Sequence, residues 1–383
     1  MIENVDDQNL DKLPLNFDNT EIAFREKNDG QLKDLYQLYK LINNTILFKI
    51  APAFMRFFLS LKDKVIDSQF YGGTSLEACE SVIQELGRGK VNAILNYSAK
   101  KVQNKADYIS YSEEIIRAIN YASTEERVSF VMFKVSALAS FKLLEKMSAK
   151  RDLSSAEETE YFKVKGRINS ICKTAFDLDI QVIIDAEDQC IQYAVDVLAI
   201  ETMQLFNLEK AVVYNTYSFY ERSDSSVLKE HYLQAEMYGF ILGAHVIENE
   251  IAKYKEDSTV IMPEQENYPE AVGFCVTHIK YIALIATMHN AGSCINFINV
   301  LSNTSVPANH PHVYFSQLLG LNDDLSFNLA HAGFNVAKNI TYGDFKGELP
   351  SLLTIQKKNM DIEVPMERAL KLIITERGRR RNL

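Results

Sequence analysis

The sequence predicts an α/β chain built as a TIM-like (β/α)8 barrel with an N-terminal helical arm. From about Val91 onward, short β-branched apolar runs alternate with longer stretches of helical period, the pattern of successive βαβ units. Eight such runs can be placed, at 92–98, 129–136, 180–187, 210–216, 239–246, 281–289, 313–319 and 336–341. They span roughly 250 residues, the length of one barrel, and no G-x-G-x-x-G follows the first run as an open dinucleotide-binding sheet would require.

The elements follow in order. Residues 1–90 lack alternating strands and show apolar helical period over 32–61, so they form the arm. The first fourteen residues are acidic and polar, without the basic and apolar regions of a secretory signal. Thr74-Ser75-Leu76-Glu77 and Ser154-Ser155-Ala156-Glu157 have capping-box spacing and should open helices. The arm gives way to the barrel near 87–90, and the barrel runs over 91–360. The stretch 257–266, with Pro263, reads as a βα loop over the barrel top. Residues 272–294 are the most apolar, but His278, Lys280 and His289 interrupt them and no membrane span is expected. Residues 361–383 form a C-terminal tail whose Arg377, Arg379, Arg380 and Arg381 read as a solvated terminus.

Composition narrows the function classes. The chain has 383 residues, with 51 acidic and 41 basic side chains and a net charge of -10; without a basic stripe, nucleic acid is not expected as the main ligand. Hydrophobic residues at 47% allow a sizeable core. Five cysteines with no C-x-x-C pair read as buried thiols of a cytoplasmic protein, not as a zinc site. His310-Pro311-His312 lacks a nearby third ligand, so no metal is expected there either. A small-molecule substrate is expected, with at most peripheral membrane association, and a homo-oligomer or a complex with another protein is compatible with this composition.

In barrels of this kind the chemistry sits at the C-terminal ends of the strands. Polar residues ending the apolar runs are Asn96, Lys134, Asp185 with Glu187, Asn215, His245, and His289 with Asn290. Lys134 in a strand of apolar neighbours needs a partner, and Asp185 is the natural one. A structural ion pair and a functional pair account for these two residues equally well, and His289 alone reads more simply as a satisfied core histidine.

The order of these strand ends resembles the proline dehydrogenase family, most closely its compact single-function bacterial form. Ile94-Leu95-Asn96-Tyr97-Ser98 resembles a first-strand L-D-Y-S, Phe133-Lys134-Val135-Ser136 an F-K-x-[ST], and Ile184-Asp185-Ala186-Glu187 a D-A-E. Tyr214-Asn215-Thr216-Tyr217 resembles the start of N-T-Y-Q, Gly243-Ala244-His245 a G-A-Y, His289-Asn290 the end of T-H-N, and 315–321 an F-G-Q-L-x-G-M. The resemblance implies a distorted barrel, FAD as cofactor, and oxidation of L-proline to Δ1-pyrroline-5-carboxylate. It implies Lys134 and Asp185 beside the substrate amine, and Gly243, Ala244, His289, Asn290 and Ser218 on the cofactor side.

The departures from the family are informative. The family's last helix carries Y-L-x-R-R-x-x-E-N, in which an arginine pair clamps the substrate carboxylate. Ser351, Thr354, Ile355 and Lys358 stand at those four positions here. A charge-assisted contact is worth about 1.5–3 kcal/mol, so losing two should weaken binding of an amino-acid carboxylate by orders of magnitude. Two basic residues of the fifth strand are replaced, the tyrosine beside the substrate is His245, the glutamine of the fourth strand is Ser218, and the tyrosine of the eighth is Asn339. The expected function is therefore a divergent oxidoreductase transferring hydride to flavin from a small amine or imino-acid-like substrate other than free L-proline. In that reading His245 is a titratable substrate contact. The alternative is a flavin-free, catalytically inactive pseudoenzyme acting as a binding or regulatory partner. A third reading uses Lys134 as a base or Schiff-base former.

Overall fold

The computed structural model describes residues 15–42, 69–99, 102, 104–219, 225–248, 253–254, 260–261, 267–344 and 363–382. Its strands are β1 (Asn92–Ser98), β2 (Val128–Phe133), β3 (Gln181–Ile184), β4 (Val213–Ser218), β5 (Leu242–Ile247), β6 (Lys253–Tyr254), β7 (Val260–Ile261), β8 (Ile282–Thr287), β9 (Val313–Leu318) and β10 (Val336–Gly343). Eight of them, all parallel, close in the order β1-β10-β9-β8-β5-β4-β3-β2, the expected (β/α)8 barrel. Closure is made by β1 on β10, in register from Asn92 opposite Ala337 to Ser98 opposite Gly343. The two-residue strands β6 and β7 pair antiparallel after β5, β7 inside the segment 257–266 expected to be a βα loop and β6 just before it. The rest of 257–266 lies outside the described residues.

The helices are α1 (Thr20–Ala23), α2 (Asp29–Ile42), α3 (Leu76–Arg88), α4 (Lys105–Ala122), α5 (Phe141–Ser148), α6 (Ser155–Asp177), α7 (Gln189–Phe206), α8 (Ser226–Tyr238), α9 (Asn267–Thr277), α10 (Ala291–Asn303), α11 (Asp323–His331) and α12 (Glu363–Arg381). Among the described residues no helix is long and apolar enough to cross a membrane. The second capping box forms as expected: Glu157 accepts from the Ser154 amide at 2.7 Å. The first does not, because α3 starts one residue later, with Ser75 at the cap and no side-chain capping bond.

Alternation along each strand separates two cores. Ile94, Phe130, Met132, Ile183, Tyr214, Ala283, Ile285 and Ala337 fill the barrel interior. Phe130 meets Tyr214 and Tyr314 edge-on, with centroids 5.7 and 5.0 Å apart, and closes the lower barrel. Their neighbours Leu95, Val131, Phe133, Val182, Ile184, Val213, Ala244 and Phe315 face the helices in a second, larger core. That core also takes Leu76, Cys79, Ile83 and Leu86 of α3 and is flanked by Ile22 of α1, so the expected arm divides: α3 covers the barrel, whereas α2 packs in a separate core. Residues 43–61 of the expected helical period lie outside the described residues.

A third core joins Phe24, Leu32, Leu35, Leu38 and Tyr39 to Leu372 and Ile373. The basic C-terminal run is therefore not a solvated terminus. Glu376, fully buried, accepts from Arg379, Arg380 and Thr20, and Arg380 also donates to the Phe24 and Lys27 carbonyls at 2.8 Å. Four of the five cysteines are buried as expected, but Cys190 is exposed in the first turn of α7.

Candidate active site at the barrel mouth

Extending the interior alternation to the C-terminal strand ends brings Lys134, Asp185, Thr216, His245, Thr287, His289 and Asn339 toward one mouth. Lys134 follows β2 and Asp185 follows β3, and the ammonium lies 3.6 Å from the carboxylate. The side chains are 49% and 18% exposed, so this is not the buried ion pair that would be kept for stability alone. The chain beneath the pair is fixed instead. The Lys134 amide donates to the Tyr111 hydroxyl at 3.0 Å, and the Ser136 amide to Glu187 at 2.9 Å. Burial raises the Glu187 carboxyl above its ordinary range, and the bonds from Ser136 oppose that shift.

His245 is buried, with Nδ1 3.0 Å from the Thr216 hydroxyl and Nε2 2.8 Å from that of Thr287. Thr216 spends its proton on the Ile184 carbonyl at 2.7 Å, so it accepts from Nδ1–H, and Nε2 accepts from Thr287. Burial pushes the imidazole down to about 3. The expected titratable contact is thus a neutral ring with both nitrogens consumed across β4, β5 and β8. Gly243 is required by close packing: a Cβ there would lie 2.1 Å from the Val213 carbonyl oxygen. Ala244 points the other way, into the core under the helices.

His289 is also buried, and burial pushes it down to about 4. Its Nδ1 lies 3.2 Å from Asn322 Oδ1. Asn290 caps α10, its Oδ1 accepting from the Ser293 amide at 2.6 Å and its Nδ2 donating to Glu248 at 3.2 Å. Asn215 turns outward, donating to Asp196 of α7 at 3.0 Å, so it belongs to the wall. Asn339 faces the interior beside Met132, with a buried Oδ1 that has no hydrogen-bond partner among the described residues. Ser218 ends β4, half-buried. Ser351, Thr354, Ile355 and Lys358 lie outside the described residues. His310 and His312 sit at the opposite end of β9, where His312 Nδ1 meets the Ile279 carbonyl at 3.0 Å.

Three features escaped the sequence. Thr287 shares a face with His289 by simple alternation, a signal that was available. Lys338 is fully buried on the outer face of β10, donating to Asp323 at 2.6 Å and the Leu321 carbonyl at 2.7 Å. Asn322 carried no signal, because its role depends on a left-handed loop conformation.

This arrangement matches known proteins. A family profile described as Proline dehydrogenase matches residues 79–353, more than half of the chain. The chain is 27% identical over 325 residues to the carbapenem antibiotics biosynthesis protein CarD of Pectobacterium carotovorum subsp. carotovorum, covering 82% of this chain and 85% of that one. It is 22% identical to the mitochondrial proline dehydrogenase 1 of Dictyostelium discoideum, covering 92% and 72%. Proline utilization A (PutA) from Bdellovibrio bacteriovorus, solved after inactivation by N-propargylglycine, shares the fold with a TM-score of 0.67 at 14% identity. That match covers 88% of this chain and 38% of the PutA chain. With its barrel, its strand-end residues and this profile match, the chain belongs to the proline dehydrogenase family.

Proposed function

We propose that the protein is a flavin-dependent oxidoreductase that takes hydride from the carbon beside nitrogen in a secondary amine lacking a free carboxylate. The observation that carries this reading is the half-exposed Lys134–Asp185 pair at the mouth. Its two charges offset one another toward a carboxylate, while Asp185 can accept a hydrogen bond from an amine and Lys134 can donate one. The absence of the arginine pair at Thr354 and Ile355 points the same way.

The family is FAD-dependent, and the polar groups of the mouth suit the ring and ribityl portions of that cofactor. Asn339 Oδ1, without a partner among the described residues, and the neutral His289 ring are acceptors for its N–H and hydroxyl groups, and Lys134 is a cation for its electron-rich edge. When bound, the flavin supplies the hydride acceptor. The chain's own residues do the rest: Asp185 holds the amine, Lys134 orients the carboxylate of Asp185, and the belt of Thr216, His245 and Thr287 keeps the floor neutral and dry. Loss of hydride leaves an imine, and the amine proton leaves to water at the open mouth.

The test is the visible spectrum of the purified chain with added FAD, followed by anaerobic addition of cyclic secondary amines. Bleaching of a stoichiometric flavin supports the reading. A flavin that no amine reduces refutes it.

A further inference from the structure

The loop between β9 and α11 holds His289 through a residue that the mouth chemistry above does not use. Asn322 stands at the N-terminal cap of α11 with φ +53°, yet its side chain makes no capping bond. It reaches back to β8 instead. Nδ2 donates to the His289 carbonyl at 2.9 Å, and Oδ1 lies 3.2 Å from His289 Nδ1. The first bond fixes which end of the amide is which. The atom facing the ring is therefore the oxygen, an acceptor, and Nδ1 must carry the proton. Nε2 keeps its lone pair and makes no hydrogen bond to another described residue.

The loop is braced on both sides of Asn322. Lys338 Nζ ties the Leu321 carbonyl at 2.7 Å and the Asp323 carboxylate at 2.6 Å. The Tyr39 hydroxyl donates to the Gly320 carbonyl at 2.8 Å. Burial lowers the basicity of His289, Asn322 opposes the shift, and the charge of Lys338 adds to it, so the ring is neutral at neutral pH.

We infer that Asn322 is a positioning residue: it locks His289 as the Nδ1–H tautomer, so that Nε2 presents a neutral hydrogen-bond acceptor to an N–H or hydroxyl group of the flavin. This rests on the mouth being the flavin site. Imidazole otherwise favours the Nε2–H form, so the side chain of Asn322 selects the less common tautomer.

The experiment is 15N NMR of the histidine rings in the full chain, with the His289 signals assigned by loss in His289→Gln. The wild type should show a protonated Nδ1 and a pyridine-like Nε2. Asn322→Gly suits the left-handed backbone without strain and should revert His289 to the Nε2–H form; Asn322→Asp, which still accepts from Nδ1–H, should keep the locked form. In titrations with FAD, Asn322→Gly should bind about tenfold more weakly, the loss expected for one misdirected hydrogen bond. An Nε2–H ring in the wild type, an unchanged ring in Asn322→Gly, or equal FAD affinity in both overturns the inference. A chain that locks the tautomer but takes up no FAD overturns the flavin reading, and with it the role toward the cofactor, while leaving the lock itself established.

Discussion

Replacing Lys338 by methionine tests the buried brace behind the mouth. The Nζ is fully buried, with Asp323 at 2.6 Å, the Leu321 carbonyl at 2.7 Å and the Leu318 carbonyl at 3.4 Å. Methionine fills a similar volume but strands the Asp323 carboxylate, whose other hydrogen bond among the described residues is a long one from Gln69 Nε2 at 3.3 Å. Removing one partner of a buried pair costs about 3–5 kcal/mol. Burial, the largest single influence, would raise Asp323, but the charges of Lys338 and Lys27 together with the bonds from Lys338 and Gln69 outweigh it and hold the carboxyl below its ordinary range. The pair therefore stabilises the fold above about pH 3.9, the unfolded value, and that contribution disappears as pH falls through the lower folded value. The assay is urea denaturation near pH 7.5, in which a loss of this size moves the midpoint by roughly 1 M or more. The double variant Lys338→Met with Asp323→Asn should recover part of the loss, because it removes the stranded charge. A loss below about 1 kcal/mol in Lys338→Met, or fully additive losses in the double variant, would refute the buried-pair reasoning.

Other outcomes follow from the same geometry. His245 and His289 are held near 3 and 4 against about 6.5 when unfolded, so below pH 6.5 the unfolded chain binds two protons that the fold refuses. Stability should fall as pH drops from 6.5 toward 4, by up to about 1.4 kcal/mol per pH unit for each ring, and His245→Asn should halve the slope; a flat profile between pH 6.5 and 5 contradicts both assignments. Lys134→Met and Asp185→Asn should leave stability within about 1 kcal/mol, since the pair is half-exposed, yet slow flavin reduction roughly a hundredfold. Variants that unfold instead would return the pair to a structural role. Gly243→Ala drives a methyl against the Val213 carbonyl oxygen and the Tyr214 Cα, and a loss of about 1–3 kcal/mol or more is expected by thermal melting. An unchanged melting point would mean that β4 and β5 can separate freely.

The barrel was legible because alternation and apolarity repeat eight times, and β1 falls at 92–98 as expected. Strand starts drifted where apolarity could not mark them. Ala211 and Ile241 precede β4 and β5 but already belong to the barrel floor, so they read as strand. β2 stops at Phe133 because Glu187 draws Ser136 into a tight turn, a contact between distant segments that no local pattern carries. At the mouth, the identity of Lys134 and Asp185 was visible, but their exposure was not. His245 read as titratable because a histidine at a strand end is polar; two threonine hydroxyls from neighbouring strands make it a neutral strut. The C-terminal arginines read as solvated because charge runs usually are, whereas a single buried glutamate on their own helix gathers two of them.

The most direct test of the central claim is anaerobic stopped-flow reduction of the FAD-loaded chain by L-proline and by pyrrolidine, its counterpart without the carboxylate. The account predicts that flavin is bound stoichiometrically and that pyrrolidine reduces it at least as efficiently as L-proline does. Reduction by L-proline orders of magnitude more efficient than by pyrrolidine would contradict the proposed substrate class, and a colourless chain that takes up no FAD would contradict the oxidoreductase reading itself.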